Sequence, residues 1–403
     1  MLYRLEIENF YSIRDPQVID LRATGHVSDD DGRLAPIWAG APERAPKVVA
    51  FFGANASGKS NVLKALSFIA WFVKDSFSAP RGSRMPFDRF NDVKTLKAPT
   101  RLAVHLGGPE DIASADDPDA LQCPYVYELI LGGENNPIVL SERLSYRPSG
   151  AKRSLKLFER NADGHVSATQ AFGLSGFRQA IEKVLRPDAG VIATLAHLEH
   201  PYAKWIWDAV SRIDSNILVE RSDQPDDRVM RFYADRPKLV EVFNREIERI
   251  DLGIQSMQFQ QTPQGPLAVF NHQGLALPMP LIYESHGTRQ FIKLYPFLLN
   301  ALESGGIAIV DELDSAIHPL ILPEILRWFR DPARNPYNGQ LWMTCHNASL
   351  LEDLSKEEIL FCDKDDRGRT EVYGLSDIQS VRRGDNYYRK YLGGAFGAVP
   401  QIG

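Results

Sequence analysis

Alternating apolar and polar positions open the chain. In LYRLEIENF, Leu5 and Ile7 fall on one face and charged residues on the other. A period of two predicts a half-buried strand. The next apolar run, Lys47–Phe52, is continuous, which is typical of a strand buried on both faces. A glycine-rich turn follows, and residues 62–73 (VLKALSFIAWFV) then predict a helix.

Four later β-rich runs are close together, and GGENNP between two of them is a hairpin signal. They predict an antiparallel meander over residues 101–106, 125–131, 138–146 and 155–160. From about Gly173 to Arg249 the apolar residues recur three and four apart, which predicts helices. Beyond Asp251 two short apolar runs, 307–310 and 340–345, predict buried strands. A helix is expected before the first of these runs and another between the two runs.

This order of elements predicts an α/β fold in which the first and last parts share one composite sheet. There is no internal repeat and no flexible linker. We divide the chain into an N-terminal lobe, 1–172, a helical insertion, 173–250, and a C-terminal lobe, 251–403. The absence of long heptad patterns indicates that the insertion is short.

Composition narrows the class of protein. The 403 residues carry 46 Lys+Arg and 52 Asp+Glu, a net charge of −6, with 44% hydrophobic and 24% charged residues. These values exclude wholesale disorder and argue against general electrostatic capture of nucleic acid. No run of about 18 apolar residues and no signal peptide is present, so we expect a cytoplasmic protein with no membrane segment. Three cysteines are too few and too scattered for a disulfide framework.

The strongest motif lies directly after the first buried run. Residues Gly53–Ser60 (GANASGKS) satisfy G-x-x-x-x-G-K-[ST] between a strand and a helix. The glycines let backbone N–H groups surround a phosphate, and the helix adds its positive end. Lys59 is expected to reach the β- and γ-phosphates of ATP, and the Ser60 hydroxyl to bind Mg²⁺. The predicted nucleotide-binding residues of this segment are Gly53, Asn55, Gly58, Lys59, Ser60 and Asn61.

Two carboxylates, Asp311 and Glu312, end the buried run Ile307–Val310. They fall at the edge where parallel sheets bind ligands. Asp311 is expected to hold the Mg²⁺, and Glu312 to orient or deprotonate the attacking water. Asp314 is expected to be a loop or capping residue. A solvated acidic strand end is the alternative.

Two further segments add polar groups. Ser285 and Gly287 begin a helical run that ends at Gly305-Gly306, and small residues at a helix start can form a second anion site. A plain capping turn is the alternative. His346 follows the second buried run and could contact a γ-phosphate, although a lone histidine is more often structural. We treat His318 as structural and Cys345 as a core residue.

The order of these motifs resembles the ABC-type ATPase head of SMC, RecF-like and MutS-related proteins. More narrowly, the chain resembles the AAA-family ATPases of the RloA/AbiLi group, which are abortive-infection ATPases. The matching pieces are GANASGKSN, SHGTRQF, IAIVDELDSAIHP, CHNASLLE and the tail from Leu360 to Pro400. The resemblance implies an ABC-type (SMC/RecF-like) P-loop ATPase head with a β-meander lobe and a short helical insertion.

It also implies a head-to-head homodimer, or a higher homo-oligomer. Each ATP would be clamped between the Lys59 loop of one subunit and the Ser285/Gly287 segment of the other, and His346 would sense the γ-phosphate. The chain departs from the pattern in one respect. ABC heads carry a glutamine between the phosphate loop and the signature segment, but none occurs from Asn61 to Leu121, and Gln122 has no evident role.

The leading hypothesis is an ATP-dependent sensor or regulator of antiviral defence with a separate effector, a toxin or a Toprim-fold RloB-like nuclease. The effector is what the family resemblance implies, and it is also inferred because no second catalytic cluster is evident; Asp363–Asp366 is expected to be a turn. The alternative is a RecF-type DNA-repair ATPase that clamps nucleic acid. Its basic groove would use Lys152, Arg153 and Lys156, or Arg382, Arg383, Arg389 and Lys390. A third possibility, the cytosolic ATPase subunit of an ABC transporter, is disfavoured by the short signature segment.

Overall fold

The computed structural model describes residues 1–403 except 24–26, 30, 134–135, 222–224, 251–252, 264, 316 and 401–403. The strands are β1 (Leu2–Glu8), β2 (Gln17–Asp20), β3 (Leu34–Pro36), β4 (Arg44–Pro46), β5 (Val48–Phe52), β6 (Thr100–Pro109), β7 (Gln122–Gly132), β8 (Ile138–Tyr146), β9 (Leu155–Arg160), β10 (Val166–Ala168), β11 (Ile213–Ser215), β12 (Ile254–Thr262), β13 (Gly265–His272), β14 (Met279–Pro280), β15 (Ile307–Val310), β16 (Gln340–Thr344), β17 (Ile359–Lys364) and β18 (Thr370–Gly374). The helices are α1 (Lys59–Asp75), α2 (Arg178–Val184), α3 (Val191–Ala196), α4 (Pro201–Val210), α5 (Asp226–Ala234), α6 (Pro237–Ile250), α7 (His286–Ser304), α8 (Leu322–Arg330) and α9 (Tyr387–Leu392).

Two large sheets organise the chain. A seven-stranded antiparallel sheet has the order β10-β9-β8-β7-β6-β1-β2, and a six-stranded sheet has the order β11-β15-β16-β5-β17-β18. In the second sheet β11, β15, β16, β5 and β17 are parallel, and β18 pairs antiparallel with β17. The composite sheet predicted from the sequence is confirmed, because β5 lies between strands from the C-terminal third of the chain.

The meander and the buried strands form where the apolar pattern predicts them. The two faces of β5 enter different cores: Val49 and Phe51 belong to one cluster, and Val48, Ala50 and Phe52 to the other. Burial on both faces explains why this run is apolar at every position. The α/β fold class predicted from the sequence is therefore confirmed.

The helical segment 173–250 is divided between the two cores. Residues of α2, α3 and α4 join the cluster that contains α1, whereas residues of α5 and α6 join the cluster on the other face of β5. The short strand β11 lies between them in sequence and pairs with β15. The segment thus supplies parts to both layers. The division into three domains at 172 and 250 stays a prediction.

Helix α7 is long and contains Pro296, which has no N–H to donate to the carbonyl of Ile292. The Tyr233 hydroxyl donates to that carbonyl instead, at 2.9 Å. The helix ends at Gly305 in the left-handed conformation, as the Gly-Gly pair predicts. The part of the chain that the structure describes contains no helix with the length and apolar character needed to cross a membrane.

Candidate functional site

The carboxyl ends of β5, β15 and β16 lie side by side, because the three strands are parallel neighbours in register. Gly53 follows β5, Asp311 follows β15, and Cys345 and His346 follow β16. Ligands of open α/β sheets bind at this edge. The fold therefore brings the phosphate loop, the acidic pair and His346 together.

The loop between β5 and α1 curls around its own lysine. Lys59 Nζ donates to the carbonyls of Gly53, at 2.9 Å, and Ala54, at 3.0 Å. Gly53 has φ 149°, and a Cβ there would lie 2.2 Å from the carbonyl oxygen of Cys362, so a side chain cannot be accommodated. Asn55 is exposed at the tip, while Lys59 is buried. The loop thus folds tightly around the Lys59 ammonium group.

Burial lowers the pKa of Lys59, and the neighbouring carboxylates of Asp311, Asp314 and Glu312 oppose that shift. The lysine is thus a desolvated cation at the edge of the sheet, close to an acidic group of residues. A polyanion bound in the loop would stabilise its charged form in the same way as these carboxylates do.

Asp311 is held in a network of short contacts. Its Oδ1 accepts from Ser60 Oγ at 2.9 Å and from Thr344 Oγ1 at 2.8 Å. The side-chain amide of Asn216 hydrogen-bonds to both backbone groups of Asp311. Asp311 N donates to Asn216 Oδ1 at 2.7 Å, and Asn216 Nδ2 donates to the Asp311 carbonyl at 3.1 Å. The side chain is therefore fixed beside Ser60.

The Ser60 hydroxyl and the Asp311 carboxylate are hard oxygen ligands of the kind that Mg²⁺ prefers. The described residues contain no group of three or more His, Cys, Asp or Glu side chains arranged to hold a metal. A Mg²⁺ ion at Ser60 and Asp311 would accordingly rely on phosphate oxygens and water for its remaining ligands. The pair fits the ion's chemistry in nucleotide sites.

Glu312 lies beyond Asp311 with φ 52°, in the left-handed region that non-glycine residues seldom adopt. Its N–H donates to Thr344 Oγ1 at 2.7 Å. Its carboxylate is bound by Arg221, which also donates to Ser315 Oγ, and its Oε1 lies 3.9 Å from His346 Nε2. The backbone turn thus directs Glu312 into a cluster with His346.

Asp314 fixes the neighbouring turn. Its Oδ2 accepts from the backbone N–H groups of His346 at 2.9 Å and Asn347 at 2.6 Å. This agrees with the loop or capping role expected for it. Cys345 beside it is buried, as predicted for a core residue, and burial raises the pKa of its thiol.

The predicted signature residues lie at the start of α7. Ser285 is the N-cap: its Oγ accepts from Thr288 N at 3.0 Å. Among the described residues, no hydrogen bond or ion pair joins Ser285 or Gly287 to the phosphate loop of the same chain. The 19 residues of α7 span about 28 Å, against about 13 Å for the four residues of β15 that follow. Since the helix runs back along that strand, its N-terminus projects past the carboxyl edge of the sheet.

Three other predicted positions have structural contacts away from the loop opening. The Asn61 amide donates to Ser12 Oγ at 2.7 Å. Gln122 begins β7 in the other sheet and accepts from Ala39 N at 3.0 Å, so it does not supply the missing ABC glutamine. His318 accepts from Leu320 N at 3.3 Å and stabilises a turn, as expected.

The turn expected at Asp363–Asp366 joins β17 to β18, and Asp365 accepts from the N–H groups of Arg367 and Arg369.

Sequence reasoning missed Asn216, Arg221 and Thr344. The first two belong to the helical segment and contact the acidic pair from 95 and 91 residues away. No local motif surrounds them. Thr344 could have been found from the sequence. It is a polar residue at the end of an apolar strand, and such a residue can be expected to contact a ligand or the acidic pair at the carboxyl edge of the sheet.

Comparison with known proteins gives a family match over most of the chain. The model described as "AAA domain, putative AbiEii toxin, Type IV TA system" matches residues 48–352. No curated protein matches the chain.

Similar solved structures are SMC head domains. The SMC head domain from Thermotoga maritima is 12% identical, with a TM-score of 0.41 over 93% of this chain and 98% of that one. The SmcHead bound to the C-winged helix domain of ScpA is 14% identical, with a TM-score of 0.46 over 93% and 97%. The Smc head domain with an extended coiled coil bound to the C-terminal domain of ScpA derived from Pyrococcus furiosus is 13% identical, with a TM-score of 0.42 over 93% and 96%.

Proposed function

Because this chain belongs to the AAA-domain family whose model matches residues 48–352, we propose that it is a cytoplasmic ATPase that regulates a bacterial antiviral, abortive-infection system. It binds ATP with Mg²⁺ and hydrolyses it to ADP and phosphate. Nucleotide-dependent dimerisation controls a separate effector, a toxin or a Toprim-fold RloB-like nuclease.

One observation carries the ATPase proposal. Ser60 of the phosphate loop and Asp311 of the acidic pair share a hydrogen bond across 251 residues of sequence. The two motifs therefore form one site. In that site Lys59 and the loop N–H groups bind the phosphates, Ser60 and Asp311 hold Mg²⁺, and Glu312 orients or deprotonates the attacking water.

The dimer proposal is supported by the position of Ser285. The N-terminus of α7 projects beyond the sheet edge, and Ser285 is exposed there. An exposed helix start next to the nucleotide edge is suited to contact the nucleotide of a second copy. The distance of 3.9 Å between His346 Nε2 and Glu312 Oε1 supports a role for His346 in sensing the γ-phosphate. The nucleotide completes the interface, so its hydrolysis can open the assembly.

The alternative, a nucleic-acid clamp, receives less support from the charges. Lys156 pairs with Glu159, Arg383 with Glu357, and Lys390 with Asp385. Paired cations offer less charge to a phosphate backbone.

The test is the Glu312→Gln variant, with Glu303→Gln, an exposed glutamate on α7, as the matched control. With ATP and Mg²⁺, Glu312→Gln should bind ATP, hydrolyse it at least tenfold more slowly than the control, and elute as a dimer in size exclusion with light scattering. Purified from its own host, the closed dimer should retain a protein partner.

Hydrolysis at the control rate would contradict the role of Glu312. Retention of DNA or RNA instead of a protein, with affinity that falls as salt rises, would favour the clamp.

A further inference from the structure

Residues from three distant parts of the sequence form a continuous chain of hydrogen bonds beside the phosphate loop. Asn61 Nδ2 lies 2.7 Å from Ser12 Oγ, and Ser12 Oγ lies 2.7 Å from Thr370 Oγ1. Thr370 Oγ1 in turn lies 2.8 Å from the carbonyl oxygen of Ser57. Ser12 and Thr370 are 358 residues apart. The chain thus begins and ends on the phosphate-loop segment and passes through both ends of the protein.

The number of hydrogens that each group can donate fixes the direction of this chain of hydrogen bonds. A carbonyl oxygen only accepts, so the single hydroxyl hydrogen of Thr370 goes to Ser57. The bond between the two hydroxyls must then be donated by Ser12, and Ser12 must accept from the Asn61 amide. Each donor is used once, and bonds aligned in one direction strengthen one another.

The same hydroxyls pack against Gly58. A Cβ at Gly58 would lie 2.1 Å from Thr370 Oγ1 and 2.8 Å from Ser12 Oγ, and Gly58 has φ 103°. Thr370 and Ser57 are each 3% exposed. Thr370 therefore hydrogen-bonds to Ser57 and packs against Gly58, the residue directly before Lys59. The turn that aims Lys59 and the N–H groups of the loop is fixed from outside the loop.

Neighbouring contacts join the two sheets at this point. Ser12 lies between β1 and β2 of the antiparallel sheet, and Thr370 begins β18 at the edge of the parallel sheet. Thr370 N donates to the Ser12 carbonyl at 2.8 Å, and Val372 N donates to Gln17 Oε1 at 2.8 Å. The loop conformation is consequently tied to the contact between the sheets.

We propose that Ser12 and Thr370 are positioning residues for the nucleotide: their hydroxyl chain holds the phosphate loop in its binding conformation before ATP arrives. This rests on the proposed function, in which the loop binds ATP. The affinity for ATP then depends on residues that touch the loop and not the nucleotide, because a preorganised site loses less freedom on binding.

The test compares Thr370→Val, which removes the hydroxyl at nearly constant volume, with Thr370→Ser, which keeps it. Thr370→Val should bind a non-hydrolysable ATP analogue at least about tenfold more weakly by calorimetry, because both buried hydrogen bonds of the hydroxyl are lost. Thr370→Ser should bind within about threefold of wild type, since its hydroxyl can remake both bonds. In turnover assays Thr370→Val should raise KM more than it lowers kcat. If Thr370 had a purely structural role, Thr370→Val would lower the melting temperature and would not raise KM more than it lowers kcat.

A folded Thr370→Val with wild-type affinity would overturn the proposal. If that variant does not fold, Ser12→Ala decides by the same measure: weaker analogue binding supports the chain, and unchanged binding overturns it. If wild type itself fails to bind the analogue, the proposed function fails, and that outcome is distinct from equal binding by wild type and variant.

Discussion

Replacing Lys59 with alanine should remove nucleotide binding while leaving the fold intact. The Lys59 ammonium group donates to two loop carbonyls, those of Gly53 and Ala54, at 2.9 and 3.0 Å. An ammonium group has three N–H donors. The contacts among the described residues use two of them, so one can donate to a phosphate oxygen. When ATP binds, the phosphates compete for all three donors.

The expected loss follows from the number of charged contacts. A hydrogen bond to a charged group contributes about 1.5 to 3 kcal/mol, and Lys59 is expected to contact both the β- and the γ-phosphate. Loss of two such contacts is about 3 to 6 kcal/mol, which weakens binding roughly a hundredfold to ten-thousandfold. The effect on folding should be small. Two carbonyls lose a donor, but a desolvated cation, whose pKa burial lowers, is also removed.

The assay is calorimetric titration with ATP and Mg²⁺, with thermal unfolding on the same samples. Lys152→Ala, which removes an exposed lysine of the loop between β8 and β9, is the control and should bind as wild type does. Wild-type affinity in a folded Lys59→Ala protein would refute the assignment of the phosphate site.

Two further predictions concern the interface and pH. Ser285→Arg should leave ATP binding by the monomer unchanged but prevent ATP-dependent dimerisation, because a long cation replaces a small residue at the helix start; light scattering that still shows dimers would count against it. His200 is 0% exposed, and burial lowers its pKa from the usual 6.5 to about 4. Only the unfolded state therefore gains a proton as pH falls from 6.5 towards 4, so stability falls in that window. At pH 5 the loss attributable to His200 is about 2 kcal/mol. The fall in stability between pH 7 and pH 5, measured by urea unfolding, should be about 2 kcal/mol smaller in His200→Gln than in wild type. An equal fall in both proteins would contradict this prediction.

The sequence was sufficient for the parts of the site that are local. The largely apolar runs at 47–52, 307–310 and 340–345 predicted buried strands, because a strand covered on both faces is apolar at nearly every position. The phosphate loop and the acidic pair follow these strands directly, so their common edge could be inferred. The hairpin β12–β13 was not predicted, because glutamines at four positions of β12 weaken its apolar alternation.

The remaining contacts depend on tertiary structure. Asn216 pairs with the backbone of Asp311 only because β11 docks beside β15, and no pattern near Asn216 encodes that. Thr370 reaches the phosphate loop because β18 lies two strands from β5 in the same sheet, and Ser12 joins it only where the antiparallel sheet meets that sheet. Such contacts are set by where the elements pack, which local periodicity does not specify.

The central claim is that each nucleotide site is completed by a second copy, and mixing two inactive variants tests it most directly. Lys59→Ala and Ser285→Arg each disable one half of the site. In a mixed pair, the intact Lys59 loop of one subunit faces the intact Ser285 of the other. An equal mixture should recover ATPase activity, up to about half of the wild-type value, because each mixed pair holds one intact site of two. A mixture no more active than the two variants assayed separately would contradict the claim.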